Sequence, residues 1–596
     1  MQAVRSQIAI TGVPGDKAWT GGEGMFLPTT REEMKKRGWE GLDIILVTGD
    51  TYIDSPHIGV AVIGHLLAGA GYRVGIIAQP DAKNGEDITR LGEPRLFWGI
   101  TAGSVDSMVA NYTALKKRRR SDDFTPGGKN TRRPDRATIA YANLIRRHFK
   151  NTKPLVLGGI EASLRRTAHY DYWDDAVRRS LLFDAKADIL VYGMGEKAVL
   201  EIARRLEQKE NIQNIRGICY SAKEPKEGYV LLPSYEDVKE NKAKFTEMFH
   251  LFYANNDPVT AEGLCQQQDS RYLIQNPPAC YPSEKALDAI YDLPFERDVH
   301  PHYKKQGEVR ALDTIKFSIT THRGCYGECN FCSITVHQGK TISSRSAASI
   351  LREAKALTQL AGFKGYITDV GGPTANMYGI ECDKKLSKGS CKNKRCLYPE
   401  CKQLKVDHSR QRDLLRALRD VTGIKKVFIA SGIRYDMVLR DTVCGAAYLQ
   451  DVVEHHVSGQ LKIAPEHTED AVLKRMGKPG IKYLQVFKKA FDALNKKMGK
   501  KQFLTYYLIA AHPGCDTQAM DRLRVFTARE LRITPEQVQI FTPLPSTYST
   551  LMYYTGKDPF TGEKLFVEKD MKGKEHQKAM VVSGSRCRRQ RFTGKR

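Results

Sequence analysis

Long apolar runs are what this sequence of 596 residues lacks. The opening MQAVRSQIAITGVPGDKAW has no uninterrupted apolar core of the kind a secretory signal requires. The nearest thing to a membrane span, GVAVIGHLLAGAGYRVGII, is broken by His65 and Arg73. With 41% hydrophobic and 27% charged residues, the composition describes a soluble globular chain, expected in the cytoplasm and without a membrane partner. Cysteine is scarce too, 13 in all, and in a reducing compartment clustered thiols serve metals or catalysis rather than disulfides. Neither basic run, Lys116-Lys117-Arg118-Arg119-Arg120 or SRCRRQRFTGKR (585–596), is interleaved with the several aromatics that a stacking nucleic-acid platform requires. A net charge of +26 therefore leaves two readings open, a phosphate-bearing partner or a solvated basic surface.

What is present is an alternation of strands and helices. The length implies two or three domains. DIILVTGDTYID (43–54), HIGVAVIGHLLAGAGY (57–72) and RVGIIAQP (73–80) read as a strand–helix–strand unit with a parallel sheet. PLVLGGIEAS and ADILVYGMGEKAVLEIARRL repeat the theme, so residues 1–215 are expected to form a doubly wound, Rossmann-like domain. Its glycine turns, Gly158-Gly159 and Gly193-Met194-Gly195, suit either a small-molecule site or tight turns. Residues 216–310 alternate charged helical pieces with proline turns and read as a connector. From 311 to 547 six strand-like runs, IKFSIT, KGYITDVGG, KKVFIASGI, GQLKIAP, FLTYYLIAAHPG and VQIFTPLP, alternate with helical segments, as in a partial or complete parallel barrel. Residues 548–596, lysine-rich and aperiodic, read as an extended, partly disordered tail.

The chemistry concentrates in THRGCYGECNFCSITVHQGK (321–340), where Cys325, Cys329 and Cys332 form CxxxCxxC directly after the first barrel strand. Thiolates favour iron–sulfur clusters, zinc or Cu(I). Three of them leave one iron of a 4Fe-4S cluster open, whereas a structural zinc closes with four ligands. Coincidence, or zinc completed by His322 or His337, is the competing reading.

This motif, with Phe331 before its third cysteine, resembles the radical S-adenosylmethionine (SAM) superfamily. Taken over nearly its full length, from VTGDTYIDSPHIGVA to IFTPLPSTYSTLMYYTGKDP, the chain resembles the YgiQ-type members of that superfamily. The resemblance implies an α/β fold: a cobalamin-binding-like N-terminal domain, then a partial (β/α)6 radical SAM barrel with a Cys-rich insertion at 380–410, and a basic C-terminal extension. It also implies a 4Fe-4S cluster on the three cysteines, SAM on the open iron, reductive cleavage to a 5'-deoxyadenosyl radical, and an electron donor of flavodoxin or ferredoxin type. In TDVGGPTANMY, Gly371 and Gly372 match the glycine pair that lets backbone approach SAM, with Pro373 where an acidic residue is common; Ser431, Arg434 and Glu466 match polar SAM contacts. Cobalamin-binding domains carry DxHxxG, whereas here Asp54-Ser55-Pro56-His57-Ile58-Gly59 sets the histidine one place late, which speaks against cobalamin ligation by His57. The family supplies no settled substrate.

Four further cysteines, Cys382, Cys391, Cys396 and Cys401, lie in a lysine-rich insertion without paired CxxC knuckles, a set suited to zinc or a second 4Fe-4S cluster. Their place after Gly371-Gly372 puts them on the reactive face of a barrel, where the insertion is expected to close over the first cluster and relay an electron or anchor substrate. Cys219, Cys265, Cys280, Cys444, Cys515 and Cys587 are scattered, as buried thiols usually are. The leading expectation is a radical SAM enzyme of unknown substrate. The alternatives are an RNA-modifying, methylthiotransferase-like enzyme and a non-catalytic metal scaffold.

Overall fold

The computed structural model describes residues 26–391, 395–536 and 538–582. The run IILVT, buried at every position, forms the strand Ile44–Thr48 at the centre of a parallel sheet, as a strand covered on both faces must. Five parallel strands lie in the order Val74–Ala78, Ile44–Thr48, Phe97–Thr101, Leu155–Gly158, Ile189–Val191. Chain order reverses between Ile44–Thr48 and Phe97–Thr101, and the carboxyl ends of strands at such a reversal are where doubly wound sheets hold ligands.

Four more strands widen this sheet to nine: Ile218–Ala222, Arg271–Gln275, Leu264–Gln268 and Val230–Leu232. Residues 216–310 are therefore not the connector expected, but a sheet extension paired mostly antiparallel. The strands were hidden because glutamines point inward. Gln266, Gln268 and Gln275 are buried, and their side-chain oxygens accept from Ala168 N (2.9 Å), Ser180 N (2.9 Å) and Arg166 Nε (3.0 Å). Hydrogen bonds offset the burial, so no apolar alternation marks the segment.

The second unit has six parallel strands in sequence order. Ser318–Thr320 pairs with Asp369–Gly371, and Tyr366–Ile367 with Lys426–Val427. Ile433 bridges to Ile463, Gln460–Glu466 pairs with Phe503–Ala510, and that strand pairs with Gln539–Ile540. Among the described residues no pairing joins last to first, so the barrel is partial, as expected. Helices such as Ala347–Thr358 and Ile481–Lys497 bury Ile350, Leu357, Phe487 and Phe491 in its core.

The C-terminal segment is also corrected where it is described. Tyr548–Thr555 and Met571–Val581 are helices rather than an extended tail. The second is anchored by polar contacts: Lys574 Nζ donates to the hydroxyls of Tyr172 (3.0 Å) and Tyr553 (2.9 Å), and Gln577 accepts from Ala511 N (3.0 Å). Such anchors leave no hydrophobic period to read. The basic run at 585–596, with Cys587, lies outside the described residues.

A buried ionic triad pins the first barrel strand. Arg297 and Arg345 both pair with Glu353, while Arg297 donates to Ser318 O (3.3 Å) and Arg345 to Thr320 O (2.9 Å). Removing the shared carboxylate leaves two guanidiniums buried without a counter-charge. Glu353→Gln is expected to lower stability by about 3–5 kcal/mol, read as an earlier midpoint in urea unfolding.

Candidate functional site

The cysteine loop leaves Ser318–Thr320 through a short antiparallel contact of His322–Arg323 with Ser343–Ser344. The three thiols keep some accessible surface, yet burial is the main cause raising the Cys325 thiol, and it pushes Cys332 up to about 12; Cys329 beside them adds to both shifts. Without a cation the loop thus favours neutral thiols, and a metal centre is the counter-charge that makes three thiolates compatible in one place. Gly327 N donates to Cys325 Sγ (3.3 Å), and a Cβ on Gly327 would lie 3.2 Å from that sulfur and 3.6 Å from Cys329 Sγ. The backbone therefore passes close between the first two sulfurs. Glu328, between two of the cysteines, has φ +45°, a left-handed conformation found at constrained functional loops.

The other residues expected at the site fall into three places. Gly371, Gly372 and Ser431 come together on one wall of a cavity. A Cβ on Gly372 would meet the His322 ring at 2.7 Å and its carbonyl oxygen at 2.8 Å, so glycine is required there for packing. Ser431 Oγ donates to Asp369, whose carboxylate also accepts from Ala430 N (2.8 Å) and Ser431 N (3.0 Å). Arg434 and Glu466 lie instead beside the thiols. Arg434 Nη1 approaches Cys329 Sγ (3.5 Å) while its Nε and Nη2 bind Asp436 (2.8 and 2.7 Å). Glu466, at φ +69° beyond a strand irregularity, is 3.8 Å from Lys478 Nζ, and burial raises its pKa. Phe331 turns elsewhere, edge-on to His512 at 6.4 Å. Sequence reasoning missed Asp369, Thr374, whose Oγ1 is 3.6 Å from Cys325 Sγ, and Asp436, because their roles arise only when separate strand ends meet.

The cavity, about 640 Å³, lies between the two units. The sheet domain contributes the turns after its parallel strands, including Gly103, Gly158 and Gly193, and the barrel contributes Thr320, His322, Gly371 and Ser431. It occupies the carboxyl ends of both sets of strands, where both architectures place their ligands. Arg323, two residues before Cys325, crosses to the sheet domain and pairs with Glu196 (2.5 Å) in buried surroundings.

Curated relatives match this chain almost end to end. A UPF0313 protein of Fusobacterium nucleatum is 58% identical over 566 residues, 95% of this chain and 100% of that protein. One from Thermotoga maritima is 52% identical over 571 residues, covering 95% and 100%. The chain belongs to the UPF0313 family. A Clostridium botulinum member is 47% identical over 562 residues, covering 93% of this chain and 87% of its own. The Radical SAM N-terminal family model matches residues 26–318, which assigns the chain to the radical SAM superfamily and makes it an enzyme. Among solved structures, the radical SAM methyltransferase TsrM from Kitasatospora setae, with cobalamin and a [4Fe-4S] cluster, aligns at TM-score 0.49 and 14% identity over 85% of this chain and 73% of its own. The cobalamin-dependent radical enzyme OxsB with aqua-cobalamin aligns at 0.48 and 12%, over 93% and 59%. At TM-scores below 0.5 these set neither reaction nor cofactor here. Nothing in the comparisons supports the expectation against cobalamin. His57 lines the cavity, with its ring nitrogens 3.3 Å from Ser55 Oγ and 3.4 Å from Ser318 Oγ.

In this UPF0313 chain the Cys-rich insertion docks on the cysteine loop. Cys382 and Cys396 share an apolar cluster with Tyr326, whereas Cys391 and Cys401 stand outside it, and the four sulfurs do not gather within 4.8 Å. As folded they do not form the tight tetrahedron zinc requires. The insertion is tied down by charge: Lys385 and Lys340 approach opposite oxygens of Glu328 at 3.6 and 3.8 Å, and Lys385 Nζ donates to Lys340 O (2.5 Å). Among the described residues, Asp407, Asp441 and Cys444 do converge within 4.8 Å, but Asp407 already caps Ser409, and Asp441 the amides of Val443 and Cys444.

The glycine pair separates packing from ligand approach. Gly372→Ala, colliding with His322, is expected to lower the thermal midpoint by several degrees, in line with about 1–3 kcal/mol of overpacking. Gly371→Ala, whose Cβ would meet Ala375 Cα at 3.3 Å and Ser431 at 3.5 Å, is expected to cost less.

Proposed function

We propose that Cys325, Cys329 and Cys332 hold a 4Fe-4S cluster with one open iron, that SAM binds against Gly371, Gly372 and Ser431, and that substrate occupies the cavity between the two units. The observation that carries the reading is the grouping of three cysteines, whose thiolate forms burial and mutual repulsion disfavour without a cation, at the carboxyl ends of parallel strands and beside a cavity of about 640 Å³. When bound, such a cluster supplies one electron to SAM, which divides into methionine and a 5'-deoxyadenosyl radical able to take hydrogen from substrate. The protein's own groups set the stage for this step. Gly371 and Gly372 keep a backbone wall free of side chains, Asp369 orients the Ser431 hydroxyl, and Arg434 places positive charge beside Cys329. The electron comes from an external carrier of flavodoxin or ferredoxin type, and the reading places the enzyme in the cytoplasm.

Anaerobic reconstitution with iron and sulfide, dithionite reduction and chromatography of added SAM test the reading. Wild type is expected to bind about four irons at this site and release 5'-deoxyadenosine, and Cys329→Ala to lose both. Iron bound with SAM left intact, in the presence of reductant and candidate substrates, would favour a non-catalytic scaffold.

A further inference from the structure

The partial barrel has an inner face that the described residues leave open. Its helices pack on the outside, where Ile367, Val427, Ile429, Leu461 and Ile463 are buried against them. Side chains alternate along a strand, so the intervening positions point into the trough of the barrel. The pairing register sets Tyr366 beside Lys426, Gln460 beside Phe503 and Lys462 beside Thr505 on that side. The trough is aromatic and exposed. Phe503, Tyr507 and Tyr366 are 65%, 44% and 43% accessible, and Tyr366 stacks on the half-buried Phe428, with ring centres 6.3 Å and planes 14° apart. Rings gathered in water on one concave face mark a binding surface.

The charge of this face has one sign. Lys426 and Lys462 stand among the rings, and Lys364, Lys425 and Lys501 mark the rim where the strands begin. Among the described residues none of these five lysines makes an ion pair or a side-chain hydrogen bond. No carboxylate occupies the inner positions between that rim and Asp369 and Glu466 at the upper end. The basic runs of the sequence lack interleaved rings, but separate strands bring lysine and ring together here. The trough also leads to the site. Asp369 stands three residues, about 10 Å of strand, above Tyr366 and lines the cavity with Ser431.

We infer that this trough binds single-stranded RNA, with bases stacked on the Tyr366–Phe428 pair and on Tyr507 and with phosphates beside Lys426 and Lys462. Exposed rings accept the face of any base, and unpaired lysines attract a polyanion, which together make a platform for a single strand. A duplex keeps its bases stacked inside and leaves such rings unused. Thr505 Oγ1 donates to the Gln460 side-chain oxygen (3.2 Å), so the amide nitrogen of Gln460 and the Tyr507 hydroxyl are left to meet a 2'-hydroxyl, which DNA lacks. At the upper end the exocyclic amine of a base, and not a phosphate, suits the Asp369 carboxylate. That the bound strand is the substrate rests on the reading of a radical site at the carboxyl ends of these strands; the binding itself does not.

Fluorescence anisotropy of a short labelled RNA of mixed sequence, titrated with the full chain, tests the inference. The single strand is expected to bind more tightly than its duplex or the matching DNA strand, and poly-L-glutamate, a polyanion without bases, to compete poorly. Tyr366→Ala and Tyr507→Ala are each expected to weaken the RNA about five- to hundredfold. Lys426→Ala and Lys462→Ala are each expected to lower the slope of log affinity against log salt by about 0.7. Circular dichroism confirms that each variant is folded. Duplex or DNA held as tightly as the RNA strand, poly-L-glutamate competing on equal terms as for an acidic protein partner, or unchanged affinity and slope in the folded variants would overturn the inference. RNA binding needs neither cluster nor SAM. Loss of 5'-deoxyadenosine formation with RNA binding intact would therefore strike the radical chemistry alone, and the reverse result would strike the RNA site alone.

Discussion

The pairing of Arg323 with Glu196 is the contact on which the site depends. Arg323 stands two residues before Cys325, and Glu196 begins a helix of the sheet domain, so one buried ion pair fixes the cysteine loop and joins the two walls of the cavity. Tyr291 completes the arrangement, its hydroxyl 3.3 Å from Arg323 Nε and its ring 4.4 Å from the Arg345 guanidinium. Arg345 in turn holds Glu353 and the first barrel strand. A buried pair of this kind contributes little net stability against an apolar substitute, but breaking one partner is costly, which suits a device that sets geometry.

The same logic extends to the insertion. Glu328, within the cysteine loop, is bracketed by Lys340 and Lys385, and Lys340 also lies 3.7 Å from the centre of the Tyr253 ring. The sheet domain, the loop and the insertion thus converge on one carboxylate. Burial lowers Lys340 to about 8, a sign of how little water remains there.

The central sheet-domain strands were legible because strands buried on both faces leave continuous apolar runs, and all six barrel segments read from the sequence lie where strands formed, although several of these are partly exposed. The sheet extension was not, because Gln266, Gln268 and Gln275 replace apolar pattern with long-range hydrogen bonds. The C-terminal helix escaped for a similar reason, being held by Lys574 and Gln577. At the site, the cysteine spacing spoke for itself. Arg434 was named from its likeness to SAM-contacting residues, yet two of its nitrogens are committed to Asp436 and one lies beside Cys329, a pairing visible only once the strand ends meet.

An iron left open by three protein ligands is the claim from which the rest follows, and electron paramagnetic resonance of the reduced, reconstituted protein addresses it directly. The account predicts a 4Fe-4S signal whose g values move when SAM is added, with the change absent in Cys329→Ala. A reduced cluster signal in the wild-type protein that SAM leaves unaltered would contradict it.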